Sequence, residues 1–351
     1  FHAAHKDKAI FLSYEGLINV LIKLSVNTQS ENVEGRSCAR CRTDSCRIRE
    51  FAGATLWNLA IAEKVRPDLA CRDDVLALLA QLVKDESAKT RKNAASTLGN
   101  LAKSDRSRGA LVDHGEGILV NTLIGIVCND EDCAARRRAA RTLRCAADGE
   151  ASRMVVACPD LIESLMNATT KDPDLDVRAQ ALEALVLVGR DPSISSASRI
   201  IDFFVDIVSE SEDSQCIEIS CRFVSNHYLE DHERLHLGDD YKALFLALGR
   251  VAANGSCSRE SKYIVAQLLN KLAGVGTNRS VMGTSDLILD SLAILLSLGG
   301  AGADKSRFYA AGAVVGLAKY EPNRPLLAGH KSLIASLVDF TAAAREGKCK
   351  K

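Results

Sequence analysis

Aromatic residues are scarce in this 351-residue chain: Phe, Tyr and Trp together make up 5% of it, with a single Trp. Strands depend heavily on aromatic and β-branched side chains, so the shortage argues against a β-sandwich or barrel. Thin helix-on-helix layers built from Ala and Leu fit better. Net charge is also absent. Lys plus Arg number 45 and Asp plus Glu number 45, so no global field draws in nucleic acid or an anionic membrane. No apolar run is long enough to span a bilayer: the longest, 287–298, falls short and contains Asp290. No Gly-x-Ser-x-Gly elbow appears, and no carboxylate pair sits on a recognisable catalytic scaffold. The chain starts at Phe1 without Met or a basic-then-apolar signal pattern, which leads us to expect a piece of a longer precursor.

What the chain does contain includes twelve cysteines, spread from Cys38 to Cys349 without the dense spacing of a disulfide scaffold. Several, such as Cys145 and Cys221, fall within apolar helical pattern, where a reduced thiol acts as a small hydrophobe. A reducing compartment, cytosol or nucleus, is the expectation.

The dominant signal is a repeat. Arg49-Glu-Phe-Ala-Gly-Ala-Thr-Leu-Trp-Asn-Leu-Ala60 returns 42 positions later as Arg91-Lys-Asn-Ala-Ala-Ser-Thr-Leu-Gly-Asn-Leu-Ala102, identical at seven of twelve positions. A third copy starts at Arg136, 45 positions on, and a fourth at Arg178, after another 42. Weaker copies begin at Lys262 and Arg307; the beat expected near 220 falls in a helix-like but poorly matched stretch, 216–228. Within a copy, Ala94, Leu98 and Leu101 lie at i, i+4 and i+7, one face of a helix. Second amphipathic helices are predicted at 75–83, 118–127, 161–168 and 287–298, and short first helices at 107–113, 152–157 and 323–328. Acidic turns such as 85–87, 129–132 and 171–174 hold Asp, Ser and Asn suited to capping the long helix that follows. Gly115, Gly117, Pro159 and Gly329 mark the break before each second helix. No unit covers its own apolar faces, so neighbours must stack.

The three-helix unit, its Gly-containing junction and the blocks 91–102 and 323–338 resemble armadillo repeats. The likeness is strong over 49–190, fair over 260–340 and poor between. It implies an all-α, right-handed superhelical solenoid of about eight three-helix units, some degenerate, running as one domain over 1–351. Residues 1–48 form a partial unit with a Cys-containing loop at 28–48; 191–256 is degenerate, with two-helix HEAT units the nearest competitor there; 257–351 closes the array.

The resemblance also implies that the third helices line a concave groove that receives extended peptides. Members often carry a Trp one turn before an Asn whose amide holds the peptide backbone. Here the Asn position is filled by Asn58 and Asn100, then by Cys145 and Leu187, while Trp57 stands beside Asn58 rather than a turn before it. That departure counts against an importin-α-like receptor with a long Trp–Asn ladder. Asn58 and Asn100 serve either a peptide or inter-repeat backbone, and Trp57 either a ligand or the next unit. In the third copy Arg137, Arg141 and Arg144 share one helical face; Lys92 matches Arg137 one unit earlier and Ser96 matches Arg141. Such a cluster needs a partner or nearby carboxylates, so the choice is an acidic or phosphorylated segment, or balance by the acidic turn 130–132.

Other chemically suggestive groups carry less. Cys38, Cys41 and Cys46 have thiolate spacing suited to Zn²⁺ but no evident fourth ligand, Cys71, His2 and His5 being the only candidates. His232 and His236, with His227 and Asp231 nearby, lack the Glu of a His-Glu-x-x-His site. The run 299–306 superficially resembles a phosphate loop, but Asp304 stands before Lys305 and would repel phosphate. The expectation is a non-catalytic scaffold without cofactor or metal that binds a partner segment, acidic in the sharper reading, across the first three full repeats. The alternatives are nucleic-acid binding along the strip 136–144, disfavoured by the missing aromatics, and a metal-linked module through the three cysteines.

Overall fold

The computed structural model describes residues 16, 18–25, 39–115, 117–148, 158, 160–190, 197–230, 241–300 and 302–345; among them all regular structure is helical. The chain divides into two compact units, 1–197 and 198–351.

In the first unit, α1 (Ala39–Ile61), α2 (Arg66–Ala70), α3 (Asp73–Leu82) and α4 (Ala88–Leu101) precede α5 (Asp105–Asp113), α6 (Ile118–Asn129) and α7 (Cys133–Ala146), with α8 (Leu161–Lys171) and α9 (Leu175–Gly189) closing it. The long helices α1, α4, α7 and α9 pack in succession, and α3, α6 and α8 form a second row. Ala94, Ala95, Ala139 and Ala140 are fully buried, so the doubled alanines of the repeat are the surfaces on which these helices meet. Leu98 and Leu101 are also fully buried, each worth about 1.5–3 kcal/mol of transfer free energy. Gly99 brings α7 close, since a Cβ there would lie 2.8 Å from Thr142 Oγ1. That hydroxyl donates to Ala95 O at 2.9 Å across the helix pair.

The acidic turns cap as their composition predicts. Asp132 accepts from Ala134 N and Ala135 N, Asp174 from Val177 N, and Ser87 from Thr90 N. The junction glycines are needed for their backbone: Gly117 is left-handed at φ 86 ahead of α6, and Asp160 takes the same region at φ 63 ahead of α8.

The first Arg of each repeated block has a role that spacing alone did not disclose. Arg91 donates to Asp85 O and Glu86 O in its own acidic turn and forms a forked pair with Asp130 in the next, at 2.6 and 2.7 Å. Arg136 repeats this with Asp130 O, Glu131 O and the Asp172 carboxylate. Arg49 likewise pairs with Asp85. Each guanidinium thus ties one repeat of the first unit to the next, beneath surfaces that leave the side chains of Asp130 4% and Asp172 5% exposed.

The second unit holds α10 (Ala197–Glu210), α11 (Ser214–Glu230), α12 (Tyr241–Ala253), α13 (Arg259–Gly274), α14 (Asn278–Gly283), α15 (Asp286–Ser297), α16 (Ala303–Ala318), α17 (Asn323–Gly329) and α18 (Lys331–Arg345). Here α11, α13 and α16 stack as the long helices, and α12, α15 and α18 as the second row. The beat that the sequence loses near 220 is therefore present as α11. Its core is built differently: Phe204 and Phe223 stack at 4.1 Å where other units use Ala and Leu. Residues 39–48, expected within a loop, are instead the first turns of α1. The glycine-rich run 299–306 spans the end of α15 and the start of α16, with Gly300 and Gly302 left-handed and Lys305 over the Tyr263 ring.

Both units close their long helices in one way. A side chain at the start of the following short helix reaches back six residues to an end carbonyl: Arg66 to Ala60 O, Arg108 to Ala102 O, Arg279 to Ala273 O and Arg324 to Ala318 O, at 2.9–3.1 Å. Cations suit a helix C-terminus electrostatically. In the second unit Asn278 and Asn323 add amide donors to Leu272 O and Leu317 O.

Candidate functional site

Three successive long helices in the first unit define a pocket of about 260 Å³. Trp57 and Ile61 from α1 supply its apolar wall; Ser96, Gly99 and Asn100 come from α4; Arg138, Arg141 and Thr142 come from α7. Arg66, at the start of α2, and Lys103, in the turn after α4, complete it. Gly99 lies in this wall where α4 and α7 approach each other; its equivalents in the neighbouring copies are Trp57 and Arg144.

Four cations therefore share a small volume, and none of Arg66, Lys103, Arg138 and Arg141 forms an ion pair with a carboxylate among the described residues. The effect registers at Lys103, whose ammonium is held below the ordinary lysine range, first by burial and then by the Arg141 and Arg66 charges, with Arg138 adding to them and Cys145 opposing. The Lys103 ammonium donates to Asn100 Oδ1 at 3.0 Å. That leaves the Asn100 amide hydrogens as donors. Arg66 spends two donors on Ala60 O and Ile61 O, which fixes its guanidinium.

Of the residues singled out in the sequence, Trp57, Ser96, Asn100 and Arg141 are brought together here. The others lie elsewhere. Asn58 is exposed and its amide donates to Ala54 O in its own helix at 3.0 Å. Lys92 is half-buried and absent from the pocket wall; its carbonyl accepts from the Ser96 hydroxyl. Arg137 pairs with Asp174 at 2.5 Å and Asp176 at 3.3 Å, and Arg144 pairs with Glu183 at 2.9 Å. The arginine face is thus divided: two members are neutralised by the acidic residues of the next unit, and Arg141 alone opens onto the pocket. The turn 130–132, expected to balance the cluster, is otherwise engaged, Asp130 by Arg91 and Asp132 by the α7 amides.

Sequence reasoning missed Arg66 and Lys103 because it followed one face of the third helix and not the turns beyond it. Arg138 was included only in the strip 136–144. That strip is broken by pairing of Arg136, Arg137 and Arg144.

Cys38, His232 and His236 lie outside the described residues. Cys41 lies within α1, and Cys46 is half-buried with Sγ 4.0 Å from Glu50 Oε1. Among the described residues no group of three His, Cys, Asp or Glu side chains is arranged to hold a metal. Cys221 is buried as expected, and burial pushes its thiol far up; Cys71, Cys128 and Cys133 are exposed. No single described helix is long and apolar enough to cross a membrane.

The architecture is that of an armadillo-type helical repeat protein. Residues 67–103 match the armadillo/beta-catenin-like repeat, a stretch that runs from α2 through α4 and includes much of the pocket wall. A designed armadillo repeat protein is similar at 14% identity, covering 69% of this chain and 99% of its own, with a TM-score of 0.50. Two engineered proteins are also similar: one at 21% identity over 70% of this chain and 99% of its own, TM-score 0.53, the other at 18% over 91% and 81%, TM-score 0.54. No curated protein matches the chain.

Proposed function

We propose that this chain is a non-catalytic protein-binding scaffold whose first unit receives an acidic segment of a partner protein. The observation that carries the reading is the pocket of four cations without ion pairs beside Trp57 and Asn100. Folding leaves such a cluster only where something outside the chain neutralises it or where repulsion is tolerated. The Trp57 ring offers contact area at low entropic expense, and the Asn100 amide hydrogens fit a main-chain carbonyl. The pairing of Arg136, Arg137 and Arg144 with internal carboxylates favours a short local site over a continuous basic track. The many reduced thiols, among them buried Cys158, Cys216, Cys221 and Cys257, support an intracellular reducing location, cytoplasmic or nuclear.

Fluorescence anisotropy with labelled octapeptides tests this, one alternating Glu and Gly and one alternating Lys and Gly. The acidic peptide is expected to bind, to weaken as salt rises, and to lose roughly 100-fold in affinity, about 2.7 kcal/mol, in Arg138→Glu/Arg141→Glu. Equal or tighter binding of the basic peptide would overturn the reading.

A further inference from the structure

The site's charge exceeds what one carboxylate can neutralise. We infer that the pocket formed by Trp57, Asn100, Arg66, Lys103, Arg138 and Arg141 receives a phosphorylated serine or threonine side chain of the partner segment. This rests on the acidic-segment reading above and narrows it to one side-chain chemistry.

A glutamate brings one negative charge and two oxygens to four cations, leaving most of their mutual repulsion in place. A phosphate monoester brings about −1.5 to −2 at pH 7 and three strong acceptor oxygens. Arg138 and Arg141 are three positions apart on α7, hence on adjoining parts of one helix face. Neither is tied by an ion pair, so both planar forks are available for the bidentate geometry that phosphate accepts. Lys103 adds a point charge from the α4 end. Arg66, pinned on Ala60 O and Ile61 O, adds a fixed one. Gly99, where a Cβ would lie 2.8 Å from Thr142 Oγ1, lets α7 approach α4 and brings Arg138 and Arg141 alongside Lys103 and Asn100. The apolar lining residues, Trp57 and Ile61, suit the segment's own backbone and neighbouring side chains rather than a second anion. A peptide therefore fits better than a bare ion.

The pH dependence separates phosphate from carboxylate. Lowering pH from 7.5 to 5.5 protonates the dianion, whose second pKa is about 6. Over the same range Lys103, held below the ordinary lysine range by burial and by the Arg141 and Arg66 charges, can only gain protons. The protein's own titration at the cations thus strengthens anion binding in acid, so a loss of affinity belongs to the phosphate.

The test uses one acidic peptide library with a fixed central phosphoserine, glutamate or serine. It is titrated by anisotropy into the full chain, into Arg138→Gln/Arg141→Gln, and into Lys271→Gln/Lys319→Gln, which removes the same charge from exposed positions in the second unit. The expected result is at least tenfold tighter binding of the phosphoserine set than of the glutamate set. That preference should vanish in the first variant, persist in the second, and fall at least threefold between pH 7.5 and 5.5. Equal binding of the phosphoserine and glutamate sets, both weakened by the first variant, would overturn the inference and leave the acidic-segment reading standing. Absence of binding by all sets would overturn both. Vesicles containing a phosphoinositide, used as a parallel probe, binding more tightly than the phosphoserine set would also overturn it by assigning the pocket to a lipid headgroup.

Discussion

At the scale of single residues, the decisive distinction is between arginines that have a carboxylate and arginines that do not. Arg91, Arg136, Arg137 and Arg144 have one; Arg138 and Arg141 do not. The first group is structural. Arg91→Ala strands the 4% exposed Asp130 carboxylate, and removing one partner from such a buried pair costs about 3–5 kcal/mol. Chemical denaturation should show that loss, whereas Arg141→Gln should change stability by less than about 0.5 kcal/mol, as exposed substitutions do. Asp130 and Asp174 also set an acid limit. Burial works to raise the Asp130 pKa, but the Arg91 hydrogen bond and charge leave it below the ordinary value; Arg137 does the same for Asp174 as its largest influence. Because the folded values lie below the unfolded value of about 4, their stabilisation is complete above that pH. It is lost as pH falls from there through the depressed values. Denaturation midpoints should be flat between pH 6 and 8 and drop below about pH 4, with a shallower drop in Arg91→Ala.

At the scale of elements, the helices were legible because their determinants are local. Apolar spacing at i, i+4 and i+7, an Asp or Ser ahead of each long helix and glycine at the junction suffice to mark α4, α7 and α9. The Asp132 cap is expected to contribute about 1 kcal/mol, so Asp132→Ala should lower stability by that amount in the same denaturation assay. Two elements were not fully legible. The helix α11 reads as helical at 216–228 but not as a copy of the repeat, because its core relies on the stacked Phe204 and Phe223 rather than on the Ala and Leu pattern that marks the other copies. The opening of α1 was taken for a loop because its first turns, 39–48, are polar and basic and show no apolar face of their own. The site was half legible. Trp57, Ser96, Asn100 and Arg141 lie on positions that the repeat alignment flags, but Arg66 enters from the start of α2 and Lys103 from the turn after α4. Whether a given arginine is neutralised depends on carboxylates 36–39 positions away, as with Arg136 and Asp172 or Arg144 and Glu183. No local pattern encodes that.

At the scale of the whole molecule, the regularity is in the scaffold and the variation is at its surface. The same guanidinium ties recur between successive repeats of the first unit, and the same six-residue reach from Arg66, Arg108, Arg279 and Arg324 ends long helices in both units. Over this repeated frame the outward positions change character from copy to copy: half-buried Trp57, then Gly99, then Arg144, and exposed apolar Phe308 and Val315 in the second unit. A uniform ladder would suit a long peptide of repeated chemistry. A single cationic pocket framed by neutralised arginines suits one charged side chain at one place along the segment. The most direct measurement is the affinity difference between the phosphoserine and glutamate peptide sets for the intact chain, repeated in Arg138→Gln/Arg141→Gln. The account predicts at least a tenfold preference for phosphoserine that disappears in the variant; binding of either set that is indifferent to Arg138 and Arg141 would contradict it.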